Sequence, residues 1–303
     1  MRKLFKNNAG QMRLGWDLLL SLLLFVGLQF TIALVLSVKW GGKSLVSSVR
    51  PELITPLGGI AATLLIWGLL KKRSLRDLGM RLSLAGAREF GAGIVLGLGF
   101  MSMIAGILVA AGAVTLRINP SWSASGLLWS LMMFIWVGFS EEMFFRGYIM
   151  KTMEALKYRL PFAYILSAML FALIHLGNNN VSALAVFNIF LIGLLFSYMF
   201  RITGNLWMPI SYHFAWNYAQ GSLYGLAVSG NDVNGVFEAS FQTHIVWLTG
   251  GDFGPEAGLL DTGMSVLGFM VLYAWQRKRQ RRATEPIMRS FAKKFEENRT
   301  FFR

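Results

Sequence analysis

Seven consecutive residues carry most of the chemistry this chain has to offer: Ser140-Glu141-Glu142-Met143-Phe144-Phe145-Arg146. They close a run, Leu127 to Phe139, that is otherwise almost wholly apolar. On a helix Glu142 and Arg146 share a face and can pair. Glu141 is turned roughly 100° from its neighbour and is left available. Ionisable groups inside an apolar span are costly, so they point to function by default. The chain has three histidines, two of them in apolar runs. His175 ends Phe171-Ala172-Leu173-Ile174-His175, and His213 sits within Pro209-Ile210-Ser211-Tyr212-His213-Phe214-Ala215-Trp216-Asn217. Phe171 and His175 are one helical turn apart, as are His213 and Asn217, so each pair presents one face.

Such a set suits the addition of water to a carbonyl. Apolar burial disfavours the charge of a carboxylate. A carboxylate so placed can take a proton from water and later hand it to a leaving amine. A neutral histidine can orient that water. A second histidine and an asparagine amide can donate to the developing oxyanion, and losing one such donor costs roughly 10²–10³ in rate. A serine mechanism is less attractive: Ser140 and Ser211 are present, but no aspartate is placed to orient a histidine. The same residues permit a metal reading, because two histidines and a glutamate (Glu141, His175 and His213) are a zinc ligand set with one position open for water. These three fall on separate runs, however, and no His-Glu-x-x-His helix occurs. The metal-free glutamate mechanism is favoured, with a zinc metalloprotease as runner-up.

The elements that must position these residues are membrane helices. Of 303 residues, 55% are hydrophobic and only 15% charged, where a soluble domain of this length carries about a quarter charged. The expectation is an all-α polytopic membrane protein. Apolar runs near 16–38, 53–70, 90–114, 127–145, 162–176, 182–200, 206–229 and 258–275 suggest about eight transmembrane helices. The first run is too long for a signal-peptide core and reads as a retained span. With the N-terminus cytoplasmic, alternation places 25 of the 29 Lys and Arg residues inside, leaving only Lys39, Lys43, Arg50 and Arg117 outside. The segment 230–257 has no Lys or Arg but carries Asp232, Glu238, Asp252 and Glu256. This separation supports both termini in the cytoplasm. The net charge of +14 therefore reflects membrane topology; no phosphate loop, RNP-like stretch or zinc-finger spacing points to nucleic acid. The absence of cysteine excludes disulfides, thiolate metal sites and a cysteine nucleophile.

Three regions follow: 1–126, N-terminal helices with a basic cytoplasmic linker; 127–229, the catalytic core; and 230–303, an acidic outer segment, the last span and a basic tail. Ser74 to Arg88 reads as an interfacial linker. In the tail, Thr284 and Pro286 suggest the start of a short helix. Ile287, Phe291 and Phe295 there recur among basic residues, a pattern suited to an anionic lipid surface. Asp17 and Asp261 read as interfacial, Asn188 and Gln29 as bonding between helices, and His244 has no evident partner.

Glu141-Glu142-x-x-x-Arg146, Phe171-x-x-x-His175 and His213-x-x-x-Asn217, with the lead-in Gly204 to Ile210, resemble the three ordered motifs of the CPBP family. That family comprises the type II CAAX prenyl endopeptidases and the bacterial Abi, or bacteriocin-processing, proteins. The likeness covers about 127–220. It implies an intramembrane endopeptidase with Glu141 as the catalytic carboxylate and Glu142 as the partner of Arg146. His175 would help to activate water, and His213 and Asn217 would stabilise the oxyanion. The expected partner is a membrane-associated peptide or protein substrate at a bacterial plasma membrane. A non-proteolytic immunity or scaffold protein and a proton-coupled transporter are the competing classes.

One geometric tension accompanies this reading. A simple hairpin at Lys157 to Pro161 puts Glu141 and His175 roughly 20 Å above the turn, whereas His213 lies roughly 10 Å into its span. The depths agree only if the hairpin extends out of the membrane, or if Gly204 to Pro209 is irregular and already deep.

Overall fold

Serine begins several of the long helices, for a simple reason. The first turn of a helix has N–H groups with no partner, and a serine hydroxyl can accept from one of them. In the computed structural model, which describes residues 2–7, 10–37, 39–40, 43–44, 51–242 and 245–301, Ser83 accepts from the Gly86 N–H, Ser123 from Gly126 and Ser182 from Ala185. His244 and Arg50 lie outside the described residues. The main helices are α1 (Leu14–Ser37), α2 (Pro51–Leu64), α3 (Leu75–Leu78), α4 (Leu84–Ala110), α5 (Ala124–Glu142), α6 (Leu160–Ile174), α7 (Ala183–Thr203), α8 (Trp207–Asn217) and α9 (Leu259–Phe301). Three continue into wider π-helical turns: α2 through Leu65–Leu70, α5 through Met143–Ile149 and α8 through Tyr218–Leu223.

Five helical stretches are long and apolar enough to cross a membrane: Leu14–Ile32, Leu84–Ala110, Ala124–Ala155, Leu160–Gly177 and Ala183–Thr203. The chain is a multi-pass, predominantly helical membrane protein. The apolar stretch Thr55–Leu70 is shorter. Helix α8 is masked to hydropathy by Ser211, Tyr212, His213 and Asn217, yet every residue from Met208 to Asn217 is buried. Its polar groups face protein and cavity, which is where a membrane bundle tolerates them.

The all-α expectation needs one correction. Val114–Ile118 (β1) pairs antiparallel with Phe237–Phe241 (β2), with Val114 opposite Phe241 and Ile118 opposite Phe237. Gly112, at φ +65°, ends the helical path before β1, so the run read as a span to residue 114 is a helix to Ala110 followed by a strand. Lys39–Trp40 and Lys43–Ser44 form a second, minimal pair.

The two ends of the bundle are tied differently. At one end β1 meets β2, Asn119 donates to the Gly235 carbonyl, and Asn178 donates to the Ser229 carbonyl. At the other lies the basic linker. Ser74 caps α3, and its hydroxyl and N–H hold the Asp77 carboxyl below the usual carboxylate range. The Gly79 carbonyl accepts from the Leu206 N–H, and the Arg81 carbonyl from the Trp207 indole. Glu89 gathers Asn205 at 3.0 Å and Arg279 at 3.3 Å. Asp17, read as interfacial, accepts from Lys71 and from the Tyr148 hydroxyl. Asn188 ties α7 to the start of α9 through the Glu256 and Gly258 carbonyls, whereas Gln29 bonds within its own helix to Phe25. Helix α9 runs unbroken to Phe301. Thr284 does not start a new helix; its hydroxyl bonds back to the carbonyls of Gln280 and Arg281, as threonine does inside a helix.

Candidate active site

Small residues set the position of α8. Glycines let helix backbones approach closely in a membrane. A Cβ on Gly93 would stand 2.4 Å from the Met208 carbonyl oxygen, and one on Gly97 2.5 Å from that of Tyr212. On the other side a Cβ on Gly138 would meet the Ile210 carbonyl at 3.1 Å. Helix α8 is thus wedged between α4 and α5, and His213 is delivered at that wedge.

The depth question resolves through Leu78. Gly147, six residues beyond Glu141, packs close to both Leu78 and Leu206, and Leu206 is seven residues before His213. Counted from this shared level, Glu141 and His213 are each roughly 10 Å up their helices. Asn205 and Leu206 are irregular and buried, and the helix that carries Gly147 runs on to Ala155 before its turn.

Glu142 and Arg146 are fully buried and paired at 2.8 Å. Arg146 also donates to the Gly193 carbonyl at 3.2 Å, and its guanidinium lies over the Phe171 ring, 4.2 Å from the centroid. The pairing partner is shared, because Glu142 Oε1 also accepts from His213 Nδ1 at 3.0 Å. Glu141 is one-fifth exposed; its Oε2 lies 3.8 Å from His213 Nε2 and has no hydrogen-bond partner in the described structure. His175 Nδ1 donates to the Phe171 carbonyl at 2.7 Å. A carbonyl only accepts, and so does an ionised carboxylate. Both rings are therefore set with the proton on Nδ1, leaving Nε2 as the lone-pair nitrogen when neutral.

Glu141, His175, His213 and Asn217 all line one cavity of about 740 Å3. His175, His213 and Asn217 also line a small second cavity of about 40 Å3, whose far wall holds Glu256 and Asp261. That is room for a few waters at the roughly 10–15 Å3 each needs. Phe171 lies between the groups as a ring wall, edge-on to both His175 and His213.

Residues 122–219 match the family model of the type II CAAX prenyl endopeptidase, Rce1-like. The match covers about a third of the chain. No curated protein matches the chain. The Rce1-like family is a protease family, and the matched stretch contains every residue singled out above from Glu141 to Asn217. Zinc was the alternative cofactor for these residues. Among the described residues no group of three or more His, Asp or Glu side chains is placed to hold a metal ion.

Several supporting residues of the matched stretch and its surroundings escape a reading by chemistry alone. The spacing Gly93-x-x-x-Gly97 is a recognisable helix-packing signal. Gly59 is another: its Cβ would stand 2.1 Å from the Ser140 hydroxyl. Glu256, in contrast, gives no sign in the sequence. It is buried, accepts from Gln220 at 2.6 Å and from the N–H and hydroxyl of Ser229, and burial pushes its carboxyl up to about 7. Asp261, read as interfacial, is buried too, at 2% exposure.

Proposed function

We propose that the chain is an intramembrane endopeptidase that hydrolyses a peptide bond of a membrane-associated peptide or protein, with eight crossings and both termini cytoplasmic. Glu141 is the general base. It takes one proton from a water in the cavity, held between its carboxylate and His175, as the water oxygen attacks the scissile carbonyl. His175 Nε2 accepts from the same water and fixes its direction. The Asn217 amide donates to the oxyanion, joined by the Nε2–H of His213, which this role requires to be doubly protonated throughout because its neutral tautomer offers no N–H to the cavity. Collapse of the tetrahedral adduct breaks the C–N bond, and Glu141 returns the proton to the departing amine. Glu142 acts through His213, holding its Nδ1–H, while Arg146 neutralises Glu142. No metal enters this sequence.

The observation that carries the reading is that Glu141, whose buried Oε2 is unpaired and faces His213 Nε2 at 3.8 Å, lines one cavity together with His175, His213 and Asn217. The test is comparative proteomics of membranes holding the wild-type chain or Glu141→Gln. Peptides produced only by the wild type, with the variant folded and equally abundant, support hydrolysis. Identical peptide pools from the two refute it.

A further inference from the structure

The large cavity has a direction. Its floor is Ser140, Glu141 and His213, and its rim is Ser123, Asn178, Asp232 and Asn234. Ser123 caps the start of α5, eighteen residues above Glu141, or roughly 27 Å along the helix. Asp232 and Asn234 are exposed and belong to the end where Asn119 meets Gly235 and Asn178 meets Ser229. The basic linker, Lys151, Arg159 and Arg201 all belong to the opposite end. The mouth therefore opens on the face away from the basic linker, which the charge rule identifies as the outer face even though Lys39, Lys43 and Arg117 belong to it.

The lining also has a sign. Among the described residues that line the cavity, none is Lys or Arg, and the charged ones are Glu141 at the floor and Asp232 at the rim. Arg146, the nearest cation in the sequence, is fully buried and committed to Glu142. The walls are apolar, with Phe25, Trp129, Met133 and Val137 among them. A peptide ending in a free carboxylate a few residues beyond the scissile bond would bring an anion into this space. Among the described lining residues it would find the carboxylates of Glu141 and Asp232 and no Lys or Arg to offset its desolvation.

We propose that the cavity receives an internal, apolar peptide segment presented from the outer face, neutral or cationic on both sides of the cut, in preference to a short tail ending in a carboxylate. This rests on the endopeptidase reading for the cut itself, while binding and access are tested separately. The chain has no cysteine, so one introduced thiol is the only target for labelling. In spheroplasts of a bacterial host, a membrane-impermeant maleimide is expected to label Asp232→Cys and, as a second rim position, Asn234→Cys. Arg76→Cys is expected to react only after lysis. In detergent, binding of two fluorescent peptides with the same apolar core is then measured to the wild type and to Glu141→Gln. One peptide ends in an amidated lysine, the other in a free carboxylate three residues past the core centre. The lysine peptide is expected to bind at least about tenfold more tightly, the ratio that about 1.4 kcal/mol supports. Rim cysteines protected until lysis, or equal or tighter binding of the carboxylate peptide, overturn the proposal. A lysine preference with outward labelling but no Glu141-dependent cleavage refutes the hydrolase reading instead and leaves this one standing.

Discussion

Replacing Gly97 by alanine adds one methyl group in a helix that touches none of the reacting atoms, yet a large loss of rate is expected. The added Cβ would stand 2.5 Å from the Tyr212 carbonyl oxygen, with the Trp216 nitrogen at 3.0 Å, where ordinary contact begins at 3.4 Å. The two backbones must therefore part by about the difference, 3.4 minus 2.5, or 0.9 Å. Tyr212 immediately precedes His213, so the shift falls on the imidazole that faces Glu141. A misplacement of about 1 Å at reacting groups costs on the order of 10²-fold in rate. A methyl group added at Gly99, two residues away, would have nothing within 4 Å of it, so Gly99→Ala is the matched control. The assay is turnover of a quenched peptide identified from the membrane proteome, alongside thermal unfolding in detergent. The expected pattern is kcat down by about 10²-fold in Gly97→Ala, with the folded fraction retained, and a wild-type rate in Gly99→Ala. Equal rates in the two variants would refute the claim that helix spacing sets the position of His213.

Two further outcomes are expected. Arg146→Met leaves Glu142 as a buried charge without its cation and should lower stability by about 3–5 kcal/mol, read as a fall in the unfolding midpoint; Glu142→Gln/Arg146→Met should recover part of that loss, and a double variant no better than the single would count against the pair. Glu256 binds its proton more tightly when folded, near pH 7 against an ordinary value of 4.5, so its contribution to stability is fully present below about 4.5 and is lost as pH rises through about 7. At about 1.4 kcal/mol per unit that amounts to about 3 kcal/mol, and Glu256→Gln should flatten the decline in melting temperature between pH 5 and pH 8; an unchanged decline would show that this carboxyl does not titrate there.

The parts of this protein that were legible in its sequence are those written in local spacing. Glu142 and Arg146 four residues apart, and the serines before long apolar runs, state their own geometry because helix periodicity is short-range. Helix α8 was legible as a carrier of His213 and Asn217 but poorly as a span, since its polar residues dilute the apolar signal that burial makes unnecessary. The sharing of Glu142 between Arg146 and His213 was not legible, because it joins residues 71 positions apart. The strand pair β1–β2 was hidden for the same reason: each strand is only five residues and neither is stable without the other. Glu256 shows the limit most clearly. An acid in a polar outer segment looks exposed, and only the packing of Gln220 and Ser229 around it makes it a buried group.

The wide turn at Met143–Ile149 has a consequence for comparing this chain with others. A π turn holds one residue more than the α-helical path it replaces, and it begins immediately after the glutamate pair. Removing one residue from it would let the helix revert to regular winding, at the cost of rotating everything beyond by roughly 100°. Arg146 would then leave its carboxylate and Tyr148 would leave Asp17. Relatives that lack the extra residue should therefore carry the guanidinium at a different offset, and alignments that forbid a gap there will pair residues that do not share a place in space.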